Sequence, residues 1–143
     1  IFLSTIDSFR NYEFKVISQE NLELPKKISL INPADDEQYL NALKSSSFFV
    51  NTSKFEGFGL PPLEAMSLGL ILISYPNEAL KTILKEDEFI PYRTNEDLAN
   101  LKLQIDRVFE DIKFYENLKN QSLRASSIYN YENFKKAIIN AAV

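Results

Sequence analysis

The chain has 143 residues, of which 45% are hydrophobic and 25% charged, with a formal net charge of −4 and neither cysteine nor histidine. This is the composition of a globular domain long enough to bury one core, and it excludes disulfides, thiolate metal sites and catalysis by histidine. The negative charge argues against nucleic acid as a partner, and the longest apolar run near the middle, residues 68–73, is far shorter than the ~20 residues of a membrane-spanning helix.

The first third of the chain is predicted to contain two helices and two strands. A helix at residues 2–10 is followed by the runs "FKVIS" (14–18) and "ISLI" (28–31), which are short, continuous and rich in Val, Ile and Phe, as buried strands are. The next helix, "PADDEQYLNALKS" (33–45), is predicted to have Asp35 as the N-cap of a capping box.

The rest of the chain continues the alternation of strands and helices. From Thr94 to about Ser126, apolar residues recur every three or four positions, which predicts helix; the segment is too long for one ordinary helix, so a break is predicted near residues 111–113. The other predicted elements are a strand at 47–51, a short helix that begins near Pro61 with Gly69 just past its end, a strand at 71–74, a helix at 77–87, a weak strand at 88–92 and a last helix at 131–142.

Repeated strand–helix units of this kind predict the α/β class. We expect residues 1–143 to form a single Rossmann-like domain, in which a parallel sheet carries helices on both faces. Sheets of this type bind ligands beyond the carboxyl ends of their strands. The segments that follow the predicted strands are therefore the places to look for a site.

The stretch "SKFEGFGLPPLEAMSLG" (53–69) leaves the carboxyl end of a predicted strand and contains all three glycines of the chain. Glu56 and Glu64 cannot share one regular helix, because two glycines and the prolines Pro61 and Pro62 lie between them. The helix is therefore predicted to begin near Pro61, which leaves Glu56 in the loop and places Glu64 in the first helical turn. Two carboxylates on different elements can then converge on one ligand.

The backbone of the same loop is suited to an anion. Because prolines have no N–H group, the donors must come mainly from the amides of Gly57, Phe58, Gly59 and Leu60. Amides of this kind suit a phosphate and carboxylates accept hydrogen bonds from hydroxyls, so a sugar nucleotide would satisfy both. A purely structural reading stays open, in which the glycines only form a turn and Glu64 only complements the helix dipole.

The segment "EGFGLPPLEAMSLG" (56–69) closely resembles the E-x7-E signature of retaining nucleotide-sugar glycosyltransferases of the GT-B fold, in particular family 4, also called group 1. Three neighbouring segments are also similar to that family: "SSFFVNTS" (46–53), "LILIS" (70–74) and "ISLINPADDEQYLNAL" (28–43). The resemblance implies that the chain is the C-terminal, nucleotide-sugar-binding half of a GT-B fold.

The resemblance also implies a role for each matching position. Glu56 matches the catalytic glutamate that contacts hydroxyls of the donor hexose, and Glu64 matches the glutamate that binds the ribose hydroxyls. The remaining donor-binding positions are Gly57, Phe58, Gly59 and Leu60 at the diphosphate and sugar, and Ile31 and Asn32 at the nucleobase.

The reaction that the resemblance implies is transfer of a hexose from a UDP-, GDP- or ADP-sugar with retention of configuration. It implies no metal and no cofactor. We expect these 143 residues to be a fragment that includes neither the N-terminal acceptor domain nor the first part of its own domain. The acceptor, whether sugar, lipid or protein, and any membrane association would depend on that N-terminal domain. The 143 residues alone are therefore expected to be inactive, and the full-length protein to be cytoplasmic or peripheral at the inner face of the membrane.

Besides the glycosyltransferase, two other functions remain open from the sequence. The second possibility is a sugar-nucleotide epimerase or phosphorylase, since these enzymes use the same architecture. A non-catalytic GT-B-like subunit that only binds or scaffolds is the third possibility, although both glutamates and the glycines between them are intact.

Overall fold

The computed structural model of the chain describes residues 9, 12–33, 35–55, 57–130 and 133. It divides into two compact units, Ile1–Ser47 and Phe48–Val143. The helices predicted at 2–10 and 131–142 lie outside the described residues, apart from residues 9 and 133. The prediction of a single domain stays a prediction.

In its described residues, the first unit contains two parallel strands and one helix. Strand β1 (Phe14–Ile17) pairs with β2 (Ile28–Ile31) along its whole length. Helix α1 (Asp36–Lys44) follows β2, and the side chain of Asp35 accepts a hydrogen bond from the backbone N–H of Gln38 at 2.9 Å, which confirms the predicted N-cap.

The second unit is built on a three-stranded parallel sheet. Its strands are β3 (Phe48–Asn51), β4 (Ile71–Ser74) and β5 (Ile90–Pro91), in the order β3–β4–β5. Strand β4 is central and all four of its residues are buried. The described strands thus form a two-stranded and a three-stranded sheet, whereas the sequence predicts a single sheet. The predicted class, parallel α/β, is confirmed.

In the described part of the second unit, four helices accompany this sheet. They are α2 (Leu60–Ser67), α3 (Glu78–Ile83), α4 (Asn95–Glu110) and α5 (Ile112–Ser127). The break predicted near 111–113 is confirmed, because Asp111 ends α4 and its carboxylate accepts hydrogen bonds from the first N–H groups of α5. Helix α3 is shorter than predicted, because the backbone becomes extended at Leu84.

The core of the second unit holds the ends of β4 and α2 in place. It combines apolar side chains from α2, β4, α3 and α5 with two from the segment before β5: Leu63, Met66, Leu72, Leu80, Leu84, Phe89 and Ala125. Helix α2 ends in a left-handed Gly69 at φ 82°, and the N–H groups of Gly69 and Leu70 close a Schellman motif on Met66 and Ala65. The core thus fixes α2, and with it the loop that leads into α2. No helix in the described part of the chain is long and apolar enough to cross a membrane.

Candidate functional site

The loop after β3 contains most of the predicted site residues. Glu56 lies outside the described residues, so its catalytic role stays a prediction. Gly57 is exposed, and an added Cβ there would have no atom within 4 Å. Phe58 is 47% exposed and packs edge-on against Tyr129, with 6.0 Å between the ring centroids.

Gly59 turns the chain into helix α2. It is buried and has a left-handed backbone at φ 85° and ψ 43°, which a residue with a side chain adopts only at a cost. Its carbonyl oxygen accepts a hydrogen bond from the N–H of Leu63 at 3.3 Å, so Leu60 becomes the first helical residue. Leu60 is 59% exposed, and its amide precedes two prolines.

Glu64 is not in the position that the sequence predicts. The helix begins at Leu60, so Glu64 is its fifth residue and lies in the second turn rather than the first. The prediction fails because the left-handed Gly59 starts the helix one residue earlier than Pro61. Glu64 is exposed on α2, where its carboxylate can reach a ligand that lies against the helix.

A buried polar network joins the loop after β3 to the start of α3. The side chain of Asn51 accepts a hydrogen bond from the N–H of Ser53 at 3.1 Å. The side chain of Asn77 donates to the carbonyl oxygen of Ser53 at 3.0 Å and accepts from the N–H of Leu80 at 3.0 Å. Neither asparagine is among the predicted site residues; the only signal in the sequence is an amide side chain at a strand end and at a helix start.

The carboxyl ends of β3, β4 and β5 also carry three side chains in contact, Lys54, Tyr75 and Tyr92, which we call the strand-end cluster. The rings of Tyr75 and Tyr92 meet edge to face at 6.5 Å, and the ammonium nitrogen of Lys54 is 6.0 Å from the centroid of Tyr75. The hydroxyl of Tyr92 donates to the carbonyl oxygen of Asn51 at 3.1 Å, and burial raises the pKa of this phenol. The hydroxyl therefore remains a donor at neutral pH.

The side-chain nitrogen Nδ2 of Asn51 lies at the base of this loop. The residue is only 7% exposed, and this nitrogen has no hydrogen-bond partner among the described residues. Because buried amides are usually paired, a water molecule or a ligand could satisfy this donor.

The two predicted nucleobase contacts lie in the first unit. Ile31 ends β2, and the side chain of Asn32 donates to the carbonyl oxygen of Gln19 at 3.4 Å. Gln19 and Pro33, themselves joined by a hydrogen bond of 3.0 Å, line a cavity of about 340 Å³ beyond the carboxyl ends of β1 and β2. Its other lining residues are Ile17, Ser18, Asp35, Asp36 and Tyr39, so Ile31 and Asn32 adjoin the cavity without lining it.

Metal ligands do not gather in the part of the chain that the structure describes. No group of three or more acidic side chains there could hold a metal ion. The metal-independent reaction stays a prediction.

Comparison with known proteins finds a family match over most of the chain and relatives that match part of it. The family described as glycosyl transferases group 1 matches residues 10–124. Serotype-specific mannosyltransferases WbdA of Escherichia coli are 28% identical over 100 residues, which cover 68% of this chain but only 12% of the relative, or 11% in one instance. The chain therefore spans about an eighth of the length of the curated relatives it matches.

Solved structures resemble the chain in fold. The C-terminal domain of a glycosyl transferase group 1 family protein (LpcC) from Francisella tularensis superposes with a TM-score of 0.58 at 24% identity, over 74% of this chain and 55% of that one. A GtfA/B complex superposes with a TM-score of 0.72 at 17% identity, over 97% of this chain and 31% of that one. The predicted Rossmann-like α/β fold of a C-terminal GT-B half, with helices on both sides of parallel sheets, is thereby confirmed.

Proposed function

This chain belongs to the group 1 family of glycosyl transferases, and on that premise we propose that it binds a nucleotide-sugar donor for transfer of a hexose with retention of configuration. The family match favours a transferase over the epimerase and phosphorylase considered above. Because the chain spans a small part of its relatives, the activity is proposed for the protein at its full natural length.

The observation that carries the proposal is the difference between the three glycines. Gly59 and Gly69 have positive φ angles, so the fold itself requires them. Gly57 has no such angle, and a Cβ there would meet no atom within 4 Å. The described fold gives no reason for a glycine at this position. A ligand that lies against the backbone there would supply one.

The surrounding residues suit a diphosphate. Pro61 and Pro62 fill the first turn of α2 and have no N–H, so the amides of Gly57 to Leu60 are the donors that this part of the chain offers. Donors held in place before the reaction stabilise the negative charge that develops on a departing diphosphate. The transition state would resemble the oxocarbenium ion of glycoside hydrolysis.

The two glutamates complete the donor site in this proposal. Glu56, in the loop, would accept hydrogen bonds from hydroxyls of the hexose close to the reacting carbon. Glu64, exposed on the second turn of α2, would accept them from the ribose hydroxyls. No metal or cofactor is needed, because each contact is made by protein amides and carboxylates.

Ile31 and Asn32 remain our proposed nucleobase contacts, as the family resemblance implies. Within the first unit they adjoin the cavity lined by Ile17 and Pro33.

The proposal for the donor hexose is drawn from the relatives of this chain. Because the relatives in Escherichia coli are named as mannosyltransferases, a mannose nucleotide is the first donor that we would test. The acceptor would be bound by parts of the protein outside this chain, and any association with a membrane would also depend on those parts.

Calorimetry with the full-length protein tests the proposal. We expect at least one of the UDP-, GDP- and ADP-sugars to bind. In a glycosyl-transfer assay, Glu56→Gln should lower kcat by a larger factor than it lowers the affinity for the donor. Glu116→Gln, which removes an exposed acid from α5, serves as the control and should change neither quantity. Absence of binding by every nucleotide sugar would contradict the proposal and favour a scaffold.

A further inference from the structure

Lys54 is the only positively charged residue between positions 45 and 80. That segment includes β3, the loop after it, α2, β4 and the turn into α3, and it contains three acids, Glu56, Glu64 and Glu78. One cation against three acids gives the segment a formal charge of −2. A diphosphate that enters this region would meet net negative charge, so the position of its single cation matters.

The chain places Lys54 next to the proposed diphosphate loop. Lys54 is three residues past the end of β3 and three residues before Gly57, so its Cα is at most roughly 11 Å from that of Gly57. A lysine side chain extends several ångströms from the backbone. Its ammonium group can therefore reach a phosphate that is bound by the amides of Gly57 to Leu60.

The strand-end cluster holds the ammonium group at this edge of the sheet. Its nitrogen is 6.0 Å from the centroid of the Tyr75 ring, within the range of cation–π attraction. Tyr75 is fixed in turn, because its N–H donates to the carbonyl oxygen of Asn51 at 3.4 Å and its ring meets Tyr92. The same carbonyl accepts the hydroxyl of Tyr92, which ties the cluster to the end of β3.

Lys54 also has its charge available. Among the described residues it forms no ion pair, and its side chain is exposed. Two other cations of the second unit are already paired with acids, Lys81 with Glu78 and Arg93 with Glu86. An exposed ammonium group beside the proposed diphosphate loop, with no ion pair among the described residues, is suited to binding a phosphate oxygen.

We propose that Lys54 is a catalytic residue that binds the diphosphate of the donor, and that Tyr75 positions it. This rests on the proposed function. When the bond between the anomeric carbon and the diphosphate oxygen breaks, its electron pair passes to that oxygen. The acceptor oxygen forms the new bond to the anomeric carbon and gives its proton to the leaving diphosphate. The positive charge of Lys54 stabilises the negative charge that the diphosphate gains.

The test compares charged and uncharged ligands with the full-length protein. GDP, UDP and ADP are titrated by calorimetry, and the matching nucleosides by ligand-observed NMR. Loss of a charged hydrogen bond is expected to weaken diphosphate binding about tenfold in Lys54→Ala. Nucleoside binding should stay within about twofold and the salt dependence of diphosphate binding should fall, because the phosphate loses an ionic contact.

Three further variants separate a direct role from a structural one. Lys54→Arg should restore most of the diphosphate affinity, and Lys85→Ala, which removes another exposed cation of the second unit, should change nothing. Tyr75→Leu should lower the ratio of diphosphate to nucleoside affinity, whereas Tyr75→Phe should preserve it, because only the ring holds the ammonium group. In the transfer reaction with varied donor, kcat of Lys54→Ala should fall by a larger factor than the KM for the donor rises.

The outcomes that overturn the inference are distinct from failure of the proposed function. Diphosphate affinity unchanged in Lys54→Ala, or lost in equal measure with nucleoside affinity, would show that Lys54 does not contact the diphosphate. Failure of the wild-type protein to bind any of the three diphosphates would overturn the proposed function and this inference together.

Discussion

The side-chain amide of Asn77 donates a hydrogen bond to the carbonyl oxygen of Ser53 across 3.0 Å, and so ties the start of α3 to the loop that follows β3. Asn77 is only 3% exposed, and its other amide atom accepts the N–H of Leu80 as the N-cap of α3. One side chain thus holds together two segments that leave neighbouring strands at the ligand-binding edge of the sheet.

We expect Asn77→Ala to lower the free energy of unfolding by about 2–3 kcal/mol. Loss of an N-cap costs roughly 1 kcal/mol, and the carbonyl of Ser53 would lose a partner in a partly buried place, which costs about 1–2 kcal/mol more. Urea denaturation measures the change. Thr94→Ala, which removes the exposed N-cap of α4, is the control at about 1 kcal/mol. Equal losses in the two variants would show that the bond to Ser53 contributes nothing.

The glycines of the loop provide a second prediction, because their backbones differ. Gly59→Ala should destabilise the protein by about 1–2 kcal/mol, the cost of a side chain in the left-handed region. Gly57→Ala should change stability by less than about 0.5 kcal/mol, since its Cβ would point into open space. Yet Gly57→Ala should weaken the binding of nucleoside diphosphates, because the methyl group would occupy the place proposed for the ligand. Unchanged affinity in Gly57→Ala would remove the main support for the donor site.

The strands and the helix break could be predicted from the sequence because their signals are local. Strands β2 and β4 have the predicted bounds, and Asp111 separates α4 from α5 where the spacing of apolar residues predicts a break. Each of these signals lies within a few residues of the element that it determines. Family membership could also be predicted, because the glycines, prolines and glutamates that carry the resemblance lie within one short segment of the chain.

The polar contacts at the strand ends could not be predicted in the same way. Asn77 and Ser53 are 24 residues apart, and Tyr92 and Asn51 are 41 apart, so no spacing in the sequence marks these pairs. The wrong prediction that Glu64 lies in the first turn of α2 has another cause. Prolines favour the first turn of a helix without fixing its first residue, and the left-handed backbone of Gly59 decides that Leu60 comes first.

Asp97 gives a prediction for the pH dependence of stability. The backbone N–H of Arg93, then that of Thr94, donates to its carboxylate, and these bonds lower the pKa of Asp97 below its ordinary value. A lowered folded-state pKa stabilises the fold above the unfolded pKa of about 4, and this contribution is lost as pH falls through the folded pKa. The stability difference between wild type and Asp97→Asn should therefore be constant above about pH 5 and shrink below pH 4.

Chemical denaturation at a series of pH values measures this difference. Glu96→Gln is the control for removing a negative charge from the same helical turn. A difference that grows as the pH falls would show that the carboxylate is not stabilised by the two backbone groups.

Glu64 offers the sharpest test of the donor site, because its proposed partners can be removed from the ligand as well as from the protein. We expect Glu64→Ala to weaken binding of a ribonucleoside diphosphate by about 1–3 kcal/mol, the cost of leaving ribose hydroxyls without an acceptor. Alanine favours helix, so α2 should keep its stability. With the matching 2′-deoxynucleoside diphosphate, part of that contact is already missing, and the substitution should cost less. The two changes form a double-mutant cycle with a coupling energy above about 0.5 kcal/mol. The control, Glu116→Ala on α5, should show no coupling to the 2′-hydroxyl. If the effects of Glu64→Ala and of removing the 2′-hydroxyl are additive, the ribose does not bind at Glu64.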